Sequence, residues 1–150
     1  MSPTPPQRLL AGATILQLVP ALRDDSVGRT AVDIARALLQ SGARAMVAGK
    51  DGPLVDELAA IGGEFLPMAT DTFNPLRIHA NARRLVNLIG SERIDIVHAQ
   101  SVGAARSALA ATRQMPGVSR GFGPAYNRAK MTFPFRSKTS NSRESPGPQG

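Results

Sequence analysis

The sequence predicts an α/β fold, a Rossmann-like three-layer sandwich built on a parallel sheet. Short apolar runs recur at 14–19, 45–48, 64–68 and 94–99. Each is followed by a segment of helical period, and Gly, Pro, Asn or Ser marks the junctions. Strands that alternate with helices of about 10–15 residues form βαβ units, whose crossovers are right-handed and whose strands lie parallel.

Residues 1–12 are rich in proline and polar groups and read as a loose leader. Thr14 to Val19 is apolar and β-branched, as a strand buried on both faces should be, and Pro20 is expected to end it. The loop 20–28 leads to a helix marked by Val32, Ala35, Leu38 and Leu39, which Ser41-Gly42 stops. Ala45–Ala48 is a second strand. Pro53 is expected at the first position of a helix carrying Leu54, Val55, Leu58 and Ile61, closed by Gly62-Gly63. Glu64–Met68 is the third strand. Asn74-Pro75 caps and starts a helix with Ile78, Ala82, Leu85, Val86 and Ile89 on one side and Arg77, Asn81 and Arg84 on the other. Ile94–Ala99 is the fourth strand, and Ser101 caps an alanine-rich helix that runs to about Gln114.

From Gly117 no period of 2 or 3.6 survives, and Ser, Pro, Gly, Arg and Lys crowd the chain, the signature of disorder. A fifth strand is expected to begin near 115–118 and finds no signal there. The organisation predicted is therefore a leader over 1–12, a domain over 13–116 and a disordered basic tail over 117–150. Without a fifth strand, an open sheet edge and a tendency to aggregate are expected.

The 150 residues suit one ordinary domain. Hydrophobic residues make up 42% but aromatics only 4%, so the core must be aliphatic. There is no cysteine, which excludes a disulfide scaffold or a thiolate metal site and fits a reducing compartment. The N-terminus matches neither a signal peptide nor a membrane span. The net charge of +7 is uneven. Residues 1–116 hold twelve Lys/Arg against ten Asp/Glu, and residues 117–150 hold six against one. The basic character thus belongs mostly to the tail, which has no nucleic-acid recognition motif, so no specific nucleic-acid partner is expected.

ILQLVPAL, a helix opened by an arginine, and AVDIARALLQSGARAMVAGKDGPLVDELAAIGGEFLPM are followed by NPLRIHANARRLVNLIGSERIDIVHAQS. In that order these segments resemble the N-terminal domain of family 4 retaining glycosyltransferases over about residues 13–116. The resemblance implies half of a GT-B fold, in which this domain receives an acceptor and a second domain grips a nucleotide-sugar. It implies transfer to a cell-envelope glycan or lipid such as lipopolysaccharide, a cytoplasmic location, and membrane contact that is at most peripheral. The family's Gly-Gly-x-x-Arg segment is replaced by Ser26-Val27-Gly28-Arg29 after Asp24 and Asp25, which would repel a pyrophosphate. The family's next strand, its base region and its donor domain have no counterpart, as in a truncated or frame-shifted chain. Such a chain is expected to be inactive alone unless a partner chain supplies the donor half. The alternative is a non-catalytic binding module on the same scaffold.

Ligands of an open parallel sheet bind beyond the carboxyl ends of the strands, which selects the loops 20–29, 49–52 and 98–103. The substrate-binding candidates are Gly28, Arg29, His98 and Ser101. Gly28 and Arg29 stand where a helix N-terminus favours anions, although glycine there also serves the backbone alone. His98 either hydrogen-bonds a sugar hydroxyl or phosphate or is satisfied by neighbouring backbone. Ser101 reads as a cap before a ligand group, and Gln100 is open between the two roles. Asp24 and Asp25 read as solvated turn residues, Arg77, Arg83 and Arg84 as a wet helix face, and His79 as a structural residue between two faces. No nucleophile–base–acid set, metal motif or phosphate-loop lysine occurs, so no catalytic residue, metal or cofactor is assigned to the chain alone.

Overall fold

In a computed structural model, residues 10–115 and 130–132 are described. β1 (Thr14–Ala21), α1 (Ser26–Gln40), β2 (Arg44–Lys50), α2 (Val55–Ala60), β3 (Glu64–Pro67), α3 (Pro75–Ser91), β4 (Ile96–Ala99), α4 (Val102–Gln114) and β5 (Lys130–Thr132) follow in chain order. The sheet order is β3-β2-β1-β4-β5, and every pairing is parallel. The chain winds outward from β1 to β3, crosses back to β4, and winds outward again. The strand order therefore reverses between β1 and β4. At such a switch point the strand ends diverge and leave a crevice.

β1 is central and almost wholly buried, as its unbroken apolar run requires. Leu16 and Leu18 pack with Met46, Ala48, Leu85, Ile89, Val97 and the alanines of α4 on one face. On the other, Val19 packs with Val47, Ala31, Val32, Ala35, Leu54 and Leu58 of the α1–α2 layer. The alternation of the pleat divides these sets. Alanines dominate α4, so it lies close to the sheet and to α3, and Asn81 of α3 donates to Ser107 of α4 at 3.4 Å.

Several expectations are corrected. Pro20 does not end β1. The strand continues to Ala21, with the register to β2 shifting between Leu18 and Ala21 where proline lacks an amide to donate. Pro53 does not open α2. It sits in the preceding turn, and the helix begins at Val55. Asn81 is not on a wet face, because its amide also donates to Ala69 O at 2.8 Å and ties α3 to the β3–α3 loop. His79, expected between two faces, is exposed. A fifth strand does form, displaced from the expected 115–118 to Lys130–Thr132, where it pairs with β4. It pairs along β4 and becomes the outermost strand on that side of the sheet. The rest of the basic tail lies outside the described residues, as does the leader apart from a turn at 10–12, which Gly12 ties to Gly42 O.

At the amino ends of the strands Arg44 bridges Glu64 (2.6 Å) and Glu92 (2.7 Å), joining β2, β3 and the end of α3. The Arg44 guanidinium holds the Glu64 carboxyl below its ordinary value of 4.5. Stability from this pairing is fully present above that value and lost as pH falls through the lowered one. Arg44→Ala is expected to cost about 1 kcal/mol at neutral pH, the groups being partly screened by solvent. It should also weaken the acid dependence of the melting temperature below pH 4.5; an unchanged acid profile would contradict the assignment.

Two glycines in helices make opposite predictions. A Cβ at Gly28 would stand 2.0 Å from Arg23 O, whereas one at Gly90 meets nothing within 4 Å. Gly28→Ala is expected to destabilise by about 2–3 kcal/mol through overpacking against backbone. Gly90→Ala should stabilise by about 0.5–1 kcal/mol through helix propensity. Denaturant titrations of both variants read the difference in sign.

Candidate functional site

Four helices begin at the carboxyl end of the sheet, and α1, α3 and α4 are each capped by a side chain, while the short α2 is not. Asp25 accepts from Gly28 N at 2.9 Å, Asn74 from Leu76 N at 3.0 Å, and Ser101 from Ala104 N at 3.1 Å. These side chains satisfy helix donors that would otherwise lack partners. Ser101 is thus the cap the sequence suggested, and its hydroxyl also lies 3.4 Å from Asp71 Oδ1. Asp25 is a cap too, not merely a solvated turn residue.

Between these helix starts is a cleft of about 150 Å³. Its floor is Pro20 and Ala21 at the end of β1, and its rim is Arg23, Asp25, Val27, Lys50 and Asp71. Arg23 and Lys50 are exposed, and among the described residues neither enters an ion pair. The rim therefore offers cationic donors beside carboxylate acceptors, a set suited to a polyhydroxylated ligand. Close packing shapes it: Gly103 lets α4 approach the β3–α3 loop, since a Cβ there would lie 2.5 Å from Asp71 Oδ1.

Across the switch point lies an amide pair between buried Gln17 and half-buried Gln100. Gln17 of β1 has no exposed surface. Its amide nitrogen donates to Ala31 O at 3.0 Å, and its oxygen accepts from Gln100 Nε2 at 2.6 Å. Gln100 is thus held by its nitrogen, leaving its own carbonyl oxygen as an acceptor. His98 stands opposite Gln17 in the sheet register and on the same face. Burial alone pushes its imidazole below the ordinary 6.5, favouring the neutral form, which both donates and accepts.

The four sequence candidates are not gathered in one place. Gly28 is buried, its N–H taken by Asp25 and its α-carbon against Arg23 O. Arg29 reaches Asp24 at 2.7 Å and Glu57 at 3.6 Å, away from the cleft rim. The ion pair holds the exposed Asp24 carboxyl below its usual range. His98 and Ser101 stand at the end of β4. Sequence reasoning missed Arg23, Lys50 and Asp71 as cleft residues. Arg23 and Lys50 fall in selected loops, but the 68–74 loop carrying Asp71 was not selected. Among the described residues no group of three His, Cys, Asp or Glu is placed to hold a metal ion, and no helix is long and apolar enough to cross a membrane.

Residues 27–126 match the family model of glycosyltransferase family 4. The fold is also similar to the crystal structure of a glycosyltransferase from Rickettsia africae ESF-5, with a TM-score of 0.65 and 30% sequence identity. That match covers 81% of this chain and 29% of the other, so the chain spans under a third of that enzyme's length. No curated protein sequence matches. With its Rossmann-like parallel sheet and a family match over two thirds of its length, the chain belongs to glycosyltransferase family 4.

Proposed function

We propose that these 150 residues form the acceptor-side half of a sugar transferase. Their cleft receives a cell-envelope glycan or glycolipid of the lipopolysaccharide type, and a nucleotide-sugar is gripped by a donor domain outside them. That domain lies either elsewhere in the polypeptide or on a partner chain. The observation that carries the reading is the capping of α1 by Asp25. A diphosphate would need the N–H groups that this carboxylate occupies and would meet its negative charge. The neighbouring rim of Arg23, Lys50 and Asp71 supplies hydrogen bonds to hydroxyl groups instead. His98 and Ser101 add donors and acceptors at the end of β4, while Gly28 and Arg29 hold the loop in shape.

Retaining transfer requires stabilisation of the departing diphosphate, which this reading assigns to the donor domain. The acceptor half binds without turnover on its own. Its location is cytoplasmic, with membrane contact peripheral.

An amide-resonance titration of the chain with lipopolysaccharide core oligosaccharide, and separately with UDP-glucose, tests this. The oligosaccharide is expected to shift Arg23, Lys50 and Asp71, and Lys50→Ala should weaken it about tenfold, the loss of one charge-assisted hydrogen bond. UDP-glucose binding in the same cleft, sensitive to Lys50→Ala and without response to the glycan, would reverse the assignment. No response to either ligand would leave the scaffold as a protein-interaction module.

A further inference from the structure

We propose that Gln100 reads a hydroxyl group of the acceptor sugar, and that buried Gln17 is the positioning residue that turns the Gln100 amide oxygen outward. The inference deepens the acceptor reading above and rests on it, but it draws on residues outside the cleft rim. A glutamine amide can be turned through half a circle with little change of shape, which exchanges donor for acceptor. Here the neighbours settle the choice. The carbonyl oxygen of Ala31 can only accept, so the Gln17 nitrogen faces it, at 3.0 Å. The Gln17 oxygen then points the other way, and Gln100 meets it with its nitrogen at 2.6 Å. The Gln100 oxygen is left facing away from both. Turning Gln100 alone would set two oxygens against each other, and turning both amides would set the Gln17 oxygen against that of Ala31.

Gln17 has no exposed surface and stands in β1, between the two apolar layers. An apolar side chain of similar length would fill that place without any directional demand, so the core does not account for the amide. Gln100 is half-buried. Among the described residues nothing donates to its oxygen and no buried side-chain polar atom lacks a partner, which leaves this oxygen on accessible surface. The Gln100 backbone is fixed as well, its N–H donating to Leu18 O at 2.9 Å. Two features tie the residue to the cleft. Val27, which lines the cleft, lies one helical turn before Ala31 on α1. Ser101, the next residue after Gln100, has its hydroxyl 3.4 Å from Asp71 Oδ1 on the rim. The Gln100 oxygen, with the second N–H beside it, suits a sugar hydroxyl, which both donates and accepts. A carboxylate or phosphate oxygen has no proton to give it. Sites built to hydrogen-bond a hydroxyl discriminate strongly against ligands that lack one.

The test is an amide-resonance titration of the full chain with lipopolysaccharide core oligosaccharide, followed at the side-chain amides as well as the backbone. The Gln100 side-chain amide is expected to shift together with Arg23, Lys50 and Asp71. Gln100→Met should weaken binding about tenfold, the loss of one hydrogen bond. Gln17→Met should weaken it about threefold, since a freed Gln100 amide is turned or displaced for part of the time. In the double variant the Gln17 change should cost nothing further, because Gln17 acts only through Gln100. A merely structural role for Gln17 would lower affinity by the same factor in both backgrounds and would overturn its assignment as a positioning residue. Shifts on the cleft rim with the Gln100 amide unmoved, and parent affinity in Gln100→Met, would overturn the proposal while the acceptor reading stands. No response to the oligosaccharide at any residue would sink that reading and this one together. The shift of the Gln100 amide is read in the parent chain, so the test holds even where a variant fails to fold.

Discussion

Gln17 is the polar group on which the arrangement of the sheet's carboxyl end depends. It lies in the most buried strand, where an unsatisfied amide would cost about 1–3 kcal/mol, and both of its ends are committed. One bond runs to Ala31 O of α1 and one comes from Gln100 beyond β4. The backbone ladder fixes the register of β4 on β1, with Gln100 N donating to Leu18 O at 2.9 Å, but hydrophobic burial is non-directional and does not fix where α1 lies on that sheet. The amide pair is directional. It sets α1 and the end of β4 in a defined position across the switch point, where a parallel sheet opens its ligand crevice.

The electrostatics of that end follow from the topology. Parallel strands joined by crossover helices send the starts of all four helices to the same edge, and α1, α3 and α4, the long ones, bring the positive ends of their dipoles there. Asp25, Asn74 and Ser101 each occupy donors there. Only Asp25 brings a full negative charge, and it does so at α1, where the resembling family places a glycine pair. The glycine remaining in this chain serves packing, since Gly28 lies against the carbonyl of Arg23.

Much of the fold was legible in the sequence because burial on both faces writes long apolar runs, and because Asn74-Pro75 and Ser101 are strong helix starts. The resemblance of NPLRIHANARRL and IDIVHAQS to family 4 agreed with that reading, and the family match bears it out. Other features were illegible for physical reasons. Lys130–Thr132 is too short to carry a period. The polarity of Asn81 hides that its partner is the carbonyl of Ala69, a contact only tertiary structure supplies. The cleft residues Arg23 and Asp71 come from two loops and Lys50 from the end of β2, and nothing in their spacing shows that they converge. Asp25 had the signature of a cap, an acidic residue three before the amide that donates to it, but beside Asp24 in a polar loop it reads equally as a solvated turn residue.

The most direct test of the central claim is a double-mutant cycle between Gln17 and Gln100, using Gln17→Met and Gln100→Met to preserve length and volume. Stability would be measured by urea denaturation of the two single variants, the double variant and the parent. A coupling of about 1 kcal/mol is expected, because either single change leaves the other amide without its partner. Additivity within about 0.3 kcal/mol would show that the two side chains do not act on one another, and that the end of β4 is positioned by the backbone ladder and packing without them.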